Sequence, residues 1–254
     1  MTANVLVTGA GSGIGAATAR LFAADGARVL CADLDPLAAQ AVAAEVSDPS
    51  TVSACALDVR TESHWERALE LLAQRHGPLD VLVHCAGISA ASPIHDTELA
   101  EWRRVMSTNL DGAFLAVKHG ARALRERAGV IVLVGSASGI RPAAGAAAYS
   151  VSKAGLGMLV RVAAKELRDG DSQVRVCAVS PAGVRTPMWL GMPFFQDLVA
   201  KTGSEAAAFD AMEKSGGGRF ADADDIARAI RFLASDDAKH ITGVELSVDS
   251  GYVL

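Results

Sequence analysis

Asn4-Val-Leu-Val-Thr8 runs directly into Gly9-Ala-Gly11-Ser12-Gly13-Ile14-Gly15 and then into Ala16-Ala-Thr-Ala-Arg-Leu21-Phe22, and the reading of this stretch decides the fold. The short apolar, β-branched run reads as a buried parallel strand. The residues after Gly13 repeat at helical spacing, which places the glycines on a strand-to-helix turn. Glycine accepts positive φ and puts nothing beyond backbone between the turn and a ligand. The free N–H groups of the first helical turn face the opening, at the positive end of the helix dipole, where a pyrophosphate can accept from them. Gly9, Gly11, Ser12, Gly13, Ile14 and Gly15 are therefore candidate phosphate-binding residues. In a chain with 24 glycines such a turn is weak evidence alone, so the next strand matters.

That strand is Arg28-Val-Leu-Cys-Ala32, and it ends on Asp33. A carboxylate at a strand tip about twenty residues beyond the glycine turn can accept both ribose hydroxyls of an adenosine and repels the 2′-phosphate of NADP. Asp33 thus points to NAD, with Asp35, before Pro36, as a competing carboxylate. The chain continues with a helix from about Pro36 to Val46, a strand at Thr51–Leu57, and Asp58-Val59 at its carboxyl end, where Asp58 can accept from an adenine amino group. A helix from Ser63 to Arg75 stops at Gly77-Pro78. Val81-Leu-Val-His84 is the next strand. Cys85-Ala86-Gly87 turns out of it, with the small Ala86 and Gly87 letting a nicotinamide ribose approach the backbone. His84 is read as a structural group rather than a catalytic one.

A helical region from Leu99 to Leu124 carries Asn109 in its middle, a poor helix former that needs a polar partner if buried. Val130–Val134 is a further strand, and it ends at Gly135-Ser136-Ala-Ser138-Gly139. The next helix opens with Tyr149 and Lys153, four residues apart and so on one face. Val174–Val179 leads into Ser180-Pro181-Ala-Gly183-Val184-Arg-Thr186, a rim suited to wrap a nicotinamide, with Pro181, Gly183, Val184 and Thr186 as contacts. Residues 188–218 carry large apolar side chains and end at Gly216-Gly-Gly218, the pattern of a lid over a substrate pocket, with an oligomer contact as the alternative. Arg141 and Arg185, near the pocket rims, are candidate partners for a substrate carboxylate. A helix at Asp224–Leu233 and a strand at Gly243–Asp249 complete the chain. Seven strands alternating with helices make one doubly wound α/β domain over residues 1–254, with a parallel sheet flanked by helices.

The 254 residues suffice for one large domain, and half of them are apolar. The formal net charge of −5, with acids and bases mixed, gives no footprint for nucleic acid or an anionic membrane. No apolar run reaches the length of a membrane span, and Met1-Thr-Ala-Asn4 brings no basic leader, so cytoplasmic residence is expected. Cys31, Cys55, Cys85 and Cys177 lie in or beside the expected strands as small buried hydrophobes. None has zinc-ligand spacing, and no metal site is expected.

Along its whole length the chain resembles the short-chain dehydrogenase/reductase family, from Thr8-Gly-Ala-Gly-Ser-Gly-Ile-Gly15 through Tyr149-x-x-x-Lys153 to Ile241-Thr-Gly243 and Val248-Asp249. The resemblance implies a Rossmann-type domain in which Tyr149 is the general acid/base and Lys153, Ser136 and Asn109 complete the catalytic set. Ser136 stands thirteen residues before the tyrosine, as the family serine does, and Ser138 is the fallback. The family's Asn-Asn-Ala-Gly is His84-Cys85-Ala86-Gly87 here, and its Asp-Gly-Gly after the last strand is Asp249-Ser250-Gly251. By resemblance, Asn109 anchors a water that links Lys153 to solvent, and the chain forms a homotetramer. The function expected is hydride transfer between NAD(H) and a secondary alcohol or ketone with an apolar body. The alternatives are an NADP-dependent ketone or 3-oxoacyl-thioester reductase and a catalytically silent nucleotide-binding regulator or scaffold.

Overall fold

The computed structural model describes residues 3–46 and 50–254; Met1 and Thr2, on which the reading of the leader rests, lie outside the described residues. Seven strands, β1 (Asn4–Thr8), β2 (Arg28–Asp33), β3 (Val52–Ala56), β4 (Val81–His84), β5 (Gly129–Val134), β6 (Val174–Pro181) and β9 (Glu245–Val248), form one sheet in the order β3-β2-β1-β4-β5-β6-β9. Every pairing in it is parallel, as the alternation of strands and helices requires. Two short strands absent from the sequence reading, β7 (Val184–Arg185) and β8 (Ala221–Asp222), pair separately and brace the segment between them.

Alternating side chains of the strands feed two cores, one on each face of the sheet. On one face Val5, Val7, Val29, Cys31, Val83 and Val132 pack against α1 (Gly13–Ala24), α2 (Pro36–Ala44) and α9 (Ala223–Ala234) through Ala19, Phe22, Val42, Ile226 and Ile230. On the other, Leu6, Leu30, Leu82, Ile131 and Leu133 meet α3 (Glu62–Arg75), α5 (Gly112–Ala123) and α6 (Ala147–Asp169) through Trp65, Leu72, Ala116, Leu156 and Val160. Burial on both faces explains why these strands read as continuous apolar runs.

The long helical region is α4 (Leu99–Met106), a π-helical turn at Ser107–Asp111 and then α5, with Asn109 fully buried in the π turn. Residues 187–217 are two short helices, α7 (Pro193–Thr202) and α8 (Glu205–Met212), between a 3₁₀ turn and a π turn. Phe195, Phe209 and Phe220 form a third, smaller apolar cluster there with Trp189, Met192 and Met212 packed on it. The order β2-β1-β4 reverses the direction of chain progression at β1, so a crevice opens at the carboxyl ends of β1 and β4, where ligands bind in such sheets.

Candidate active site

The crevice begins at the glycine turn. Gly9 has φ +65°, and a Cβ there would stand 2.7 Å from the backbone N of Ala86, so only glycine lets the β1 and β4 turns meet. Gly13, at φ +50°, would place a Cβ 3.3 Å from Cγ2 of Thr186, which brings the rim after β6 onto the same turn. Ser12 is the N-cap of α1 but makes no side-chain cap bond, and no acid lies in the first turn, so the positive end of α1 is left open to an anion.

A cleft of about 460 Å³ runs from this turn past Asp33, Asp58 and Val59 to Cys85, Ala86 and Gly87. The Asp33 carboxylate lines it, accepting from Gly11 N at 2.8 Å and from Asp35 N at 3.0 Å. Gly11 itself does not line the cleft; its N–H holds Asp33 instead. Asp35 is occupied elsewhere, since its Oδ1 caps α2 by accepting from Leu37 N and Ala38 N. Of the two competing carboxylates, only Asp33 faces the cleft. Asp58 lines it too, with both oxygens held by Arg60 at 2.8 and 2.7 Å, and this ion pair keeps its carboxyl below the usual range.

A second cavity, of about 360 Å³, continues from the first and shares Ile14, Cys85, Gly87, Thr186 and Met188 with it. Ser136, Tyr149, Lys153, Pro181, Gly183 and Val184 all lie on its walls. Two joined lobes, a glycine cradle and an open helix N-terminus fit a dinucleotide, with the phosphate turn at one end and the tyrosine at the other.

The Ser136 hydroxyl meets the Tyr149 hydroxyl, and Ser136 Oγ also accepts from Ser138 N at 3.1 Å. Ser138 lines the cavity as well, but its backbone N–H serves Ser136. Burial raises the Tyr149 phenol above its ordinary value, and the Ser136 hydrogen bond opposes that shift. Lys153 Nζ lies 5.8 Å from the centre of the Tyr149 ring and donates to the Val134 carbonyl at 2.7 Å. Burial lowers the Lys153 ammonium to about 8. Cys85 itself is pushed up to about 12 by burial, so it stands at the junction of the two lobes as a neutral thiol.

Asn109 lies beside Gly87 and has the polar partners that a buried asparagine needs. Its Oδ1 accepts from Ile88 N at 2.8 Å, and its Nδ2 donates to Ile88 O at 2.9 Å and to Ser152 Oγ at 3.1 Å. Both amide hydrogens are thus engaged, and the residue clamps the backbone next to Gly87. It lines neither cavity. His84 is buried, with Nδ1 2.9 Å from Thr8 Oγ1 and its ring 5.9 Å from that of Trp65; burial lowers it to about 3, so it is neutral. Among the described residues, no group of three or more His, Cys, Asp or Glu side chains is placed to hold a metal ion, and all four cysteines are free thiols.

Tyr252 was missed from the sequence. It lines the second cavity because Asp249 folds the chain back, accepting from Gly251 N at 3.1 Å and Val253 N at 3.0 Å. The Asp249-Ser250-Gly251 turn was the available signal, yet nothing local says that the turn ends at the pocket.

A family model described as Enoyl-(Acyl carrier protein) reductase matches residues 9–253. Momilactone A synthase of Oryza sativa subsp. japonica is 39% identical over 250 residues, covering 97% of this chain and 88% of that protein. Cis-4-hydroxycyclohexanecarboxylate dehydrogenase of Sinomonas cyclohexanicum is 40% identical over 253 residues, covering 97% of this chain and 95% of that protein. A crystal structure described as ribose-5-phosphate isomerase from Brucella melitensis 16M matches with a TM-score of 0.86 at 35% identity, covering 100% of this chain and 93% of that one. With matches along its full length and a cleft built as described, the chain belongs to the short-chain dehydrogenase/reductase family and is an NAD(P)-dependent oxidoreductase of the alcohol and ketone type.

Proposed function

We propose that the protein transfers hydride between NAD(H) and a secondary alcohol or ketone with an apolar body. The observation that carries the cofactor choice is Asp33. It lines the cleft and shows no ion pair among the described residues, and of the two arginines on the same wall, Arg60 and Arg104, Arg60 is held by Asp58. Gly9, Gly11, Ser12, Gly13, Ile14 and Gly15 form the phosphate turn, Asp58 and Val59 flank the adenine end, and Cys85, Ala86, Gly87, Pro181, Gly183, Val184 and Thr186 surround the nicotinamide end.

When bound, NAD supplies the hydride acceptor. The chain supplies the rest: Ser136 holds the alcohol oxygen, and Tyr149 takes its proton as the carbon–hydrogen bond gives up hydride. An alcohol becomes a ketone, with one proton released. Lys153 lowers the cost of the phenolate by its charge and takes the ribose side, and Asn109 holds the Ile88 backbone that shapes the nicotinamide rim. In the reverse direction Tyr149 donates the proton. Residues 188–218 act as the substrate lid within a single domain spanning 1–254.

The exposed Phe114, Val151, Met158 and Val162 on α5 and α6 support association, for which a homotetramer is the proposed form. Four free thiols suit a reducing, cytoplasmic setting. The names of the relatives bring cyclic alcohols to the head of the substrate panel. Purified protein assayed at 340 nm with NAD and with NADP, over cyclic, aromatic and steroid alcohols, tests the reading: alcohol-dependent NADH formation supports it, and a uniform preference for NADP rejects the cofactor choice.

A further inference from the structure

The two arginines that sequence places near the substrate lobe are both engaged elsewhere. Val184 and Thr186 line the cavity, but Arg185 between them turns away; its Nη2 lies 2.9 Å from Glu213 Oε1 and 3.4 Å from Asp210 Oδ1, with the guanidinium 5.5 Å from the centre of the Phe209 ring. Arg141 Nη1 donates to the Tyr252 carbonyl at 2.6 Å, and its guanidinium stacks 4.8 Å over the Tyr252 ring. Neither arginine reaches the cavity wall.

The walls are Trp189, Met192, Phe194, Met212, Phe220 and Tyr252, facing the Ser136–Tyr149 pair. Among the described residues that line the cavity, only Lys153 carries a cationic side chain, and its Nζ is bonded to the Val134 carbonyl. Ser136 and Tyr149 stand where the reacting oxygen would lie, and the other polar side chains of the wall, Ser89, Ser138, Thr186 and Tyr252, are uncharged hydroxyls. A carboxylate or phosphate elsewhere on the substrate would lose its water here and, among the described lining residues, find no free cation in exchange.

We propose that the pocket selects alcohols and ketones whose bodies are uncharged, and discriminates against those carrying a carboxylate or phosphate. This rests on the oxidoreductase reading above and narrows its substrate class. The indole, phenyl and thioether walls suit a neutral cyclic skeleton, and the Arg185–Glu213 and Arg141–Tyr252 contacts hold the two guanidinium charges outside it.

The test compares cis- and trans-4-hydroxycyclohexanecarboxylate with their methyl esters, which share ring and stereochemistry and differ in charge. The wild-type protein is expected to oxidise at least one ester with a kcat/KM about 100-fold above that of the matching acid. In Phe194→Arg, which puts a cation on a partly exposed part of the wall, the ratio is expected to shrink at least about tenfold through a gain on the acid. An acid turned over as well as its ester by the wild type overturns the inference and leaves alcohol oxidation standing. No turnover of acids, esters or any other neutral alcohol with either cofactor overturns the oxidoreductase substrate reading and the inference with it. If Phe194→Arg fails to fold, the wild-type ratio alone decides.

Discussion

Replacing Asp33 by serine removes the one carboxylate among the described residues that lines the adenosine end without a cationic partner, and the consequence for cofactor choice follows from Coulomb's law. A single negative charge about 5 Å from a doubly charged 2′-phosphate, in a surface cleft with an effective dielectric constant of about 40–80, repels it by roughly 2–3 kcal/mol. At about 1.4 kcal/mol per decade this is a penalty of about 30- to 150-fold on NADPH. The substitution also removes acceptors for Gly11 N and Asp35 N, at 2.8 and 3.0 Å. Both N–H groups sit near solvent, so water replaces much of that loss, and the cost in stability stays near ~1 kcal/mol for each bond. Titration of NADH and NADPH fluorescence on the folded protein measures the cofactor penalty. The wild type is expected to bind NADH more tightly by a factor in that range, and Asp33→Ser to bring the two affinities within about tenfold, mainly by tightening NADPH. Equal affinities in the wild type, or a preference unchanged in Asp33→Ser, would refute the assignment of Asp33 as the discriminating charge.

Two further outcomes can be checked on the same preparations. Glu213 Oε1 accepts from Arg185 and from Phe220 N, both at 2.9 Å, and so ties the end of the lid segment to the rim. Glu213→Ala is expected to raise KM for the alcohol about 3- to 10-fold with a smaller change in kcat, because looser positioning of the lid weakens substrate binding first; a kcat loss with KM unchanged would contradict the lid role. His84 is lowered to about 3 in the folded chain against about 6.5 when unfolded, so the unfolded state binds the extra proton between those values. Its neutral burial therefore costs nothing above about pH 6.5 and erodes stability as pH falls toward about 3, by up to about 1.4 kcal/mol per pH unit. Denaturant melts of wild type and His84→Asn across this window should show a shallower acid loss in the variant, and parallel curves would remove His84 from the account.

The strands, the phosphate turn and the tyrosine–lysine pair were legible because each rests on local pattern: continuous apolar runs for strands buried on both faces, glycines at a turn, and helical spacing for two side chains on one face. Contacts between distant segments were not. Asp33 and Asp35 are separable only once Asp35 is seen capping α2. Sequence leaves Arg185 open as a carboxylate partner or a surface charge, and its ion pairs to Asp210 on α8 and Glu213 in the following π turn depend on segments some 25 residues later. The π turn around Asn109 arises inside a stretch of ordinary helical periodicity, and its reason, the clamp on Ile88, is supplied by a chain segment some twenty residues earlier. Tyr252 reaches the pocket through a turn whose end point depends on Arg141, more than a hundred residues away.

In the proposed reaction Tyr149 moves the proton while the pocket positions the alcohol. Tyr149→Phe keeps the ring and its packing and removes only the hydroxyl that meets Ser136. Single-turnover oxidation of a neutral cyclic alcohol, run beside an NADH-binding titration on the same sample, tests it most directly. NADH affinity is expected within about threefold of wild type, and hydride transfer slowed by at least about 100-fold, the scale expected for loss of a positioned general acid/base. Near-normal turnover in a folded, NADH-binding Tyr149→Phe protein would contradict it.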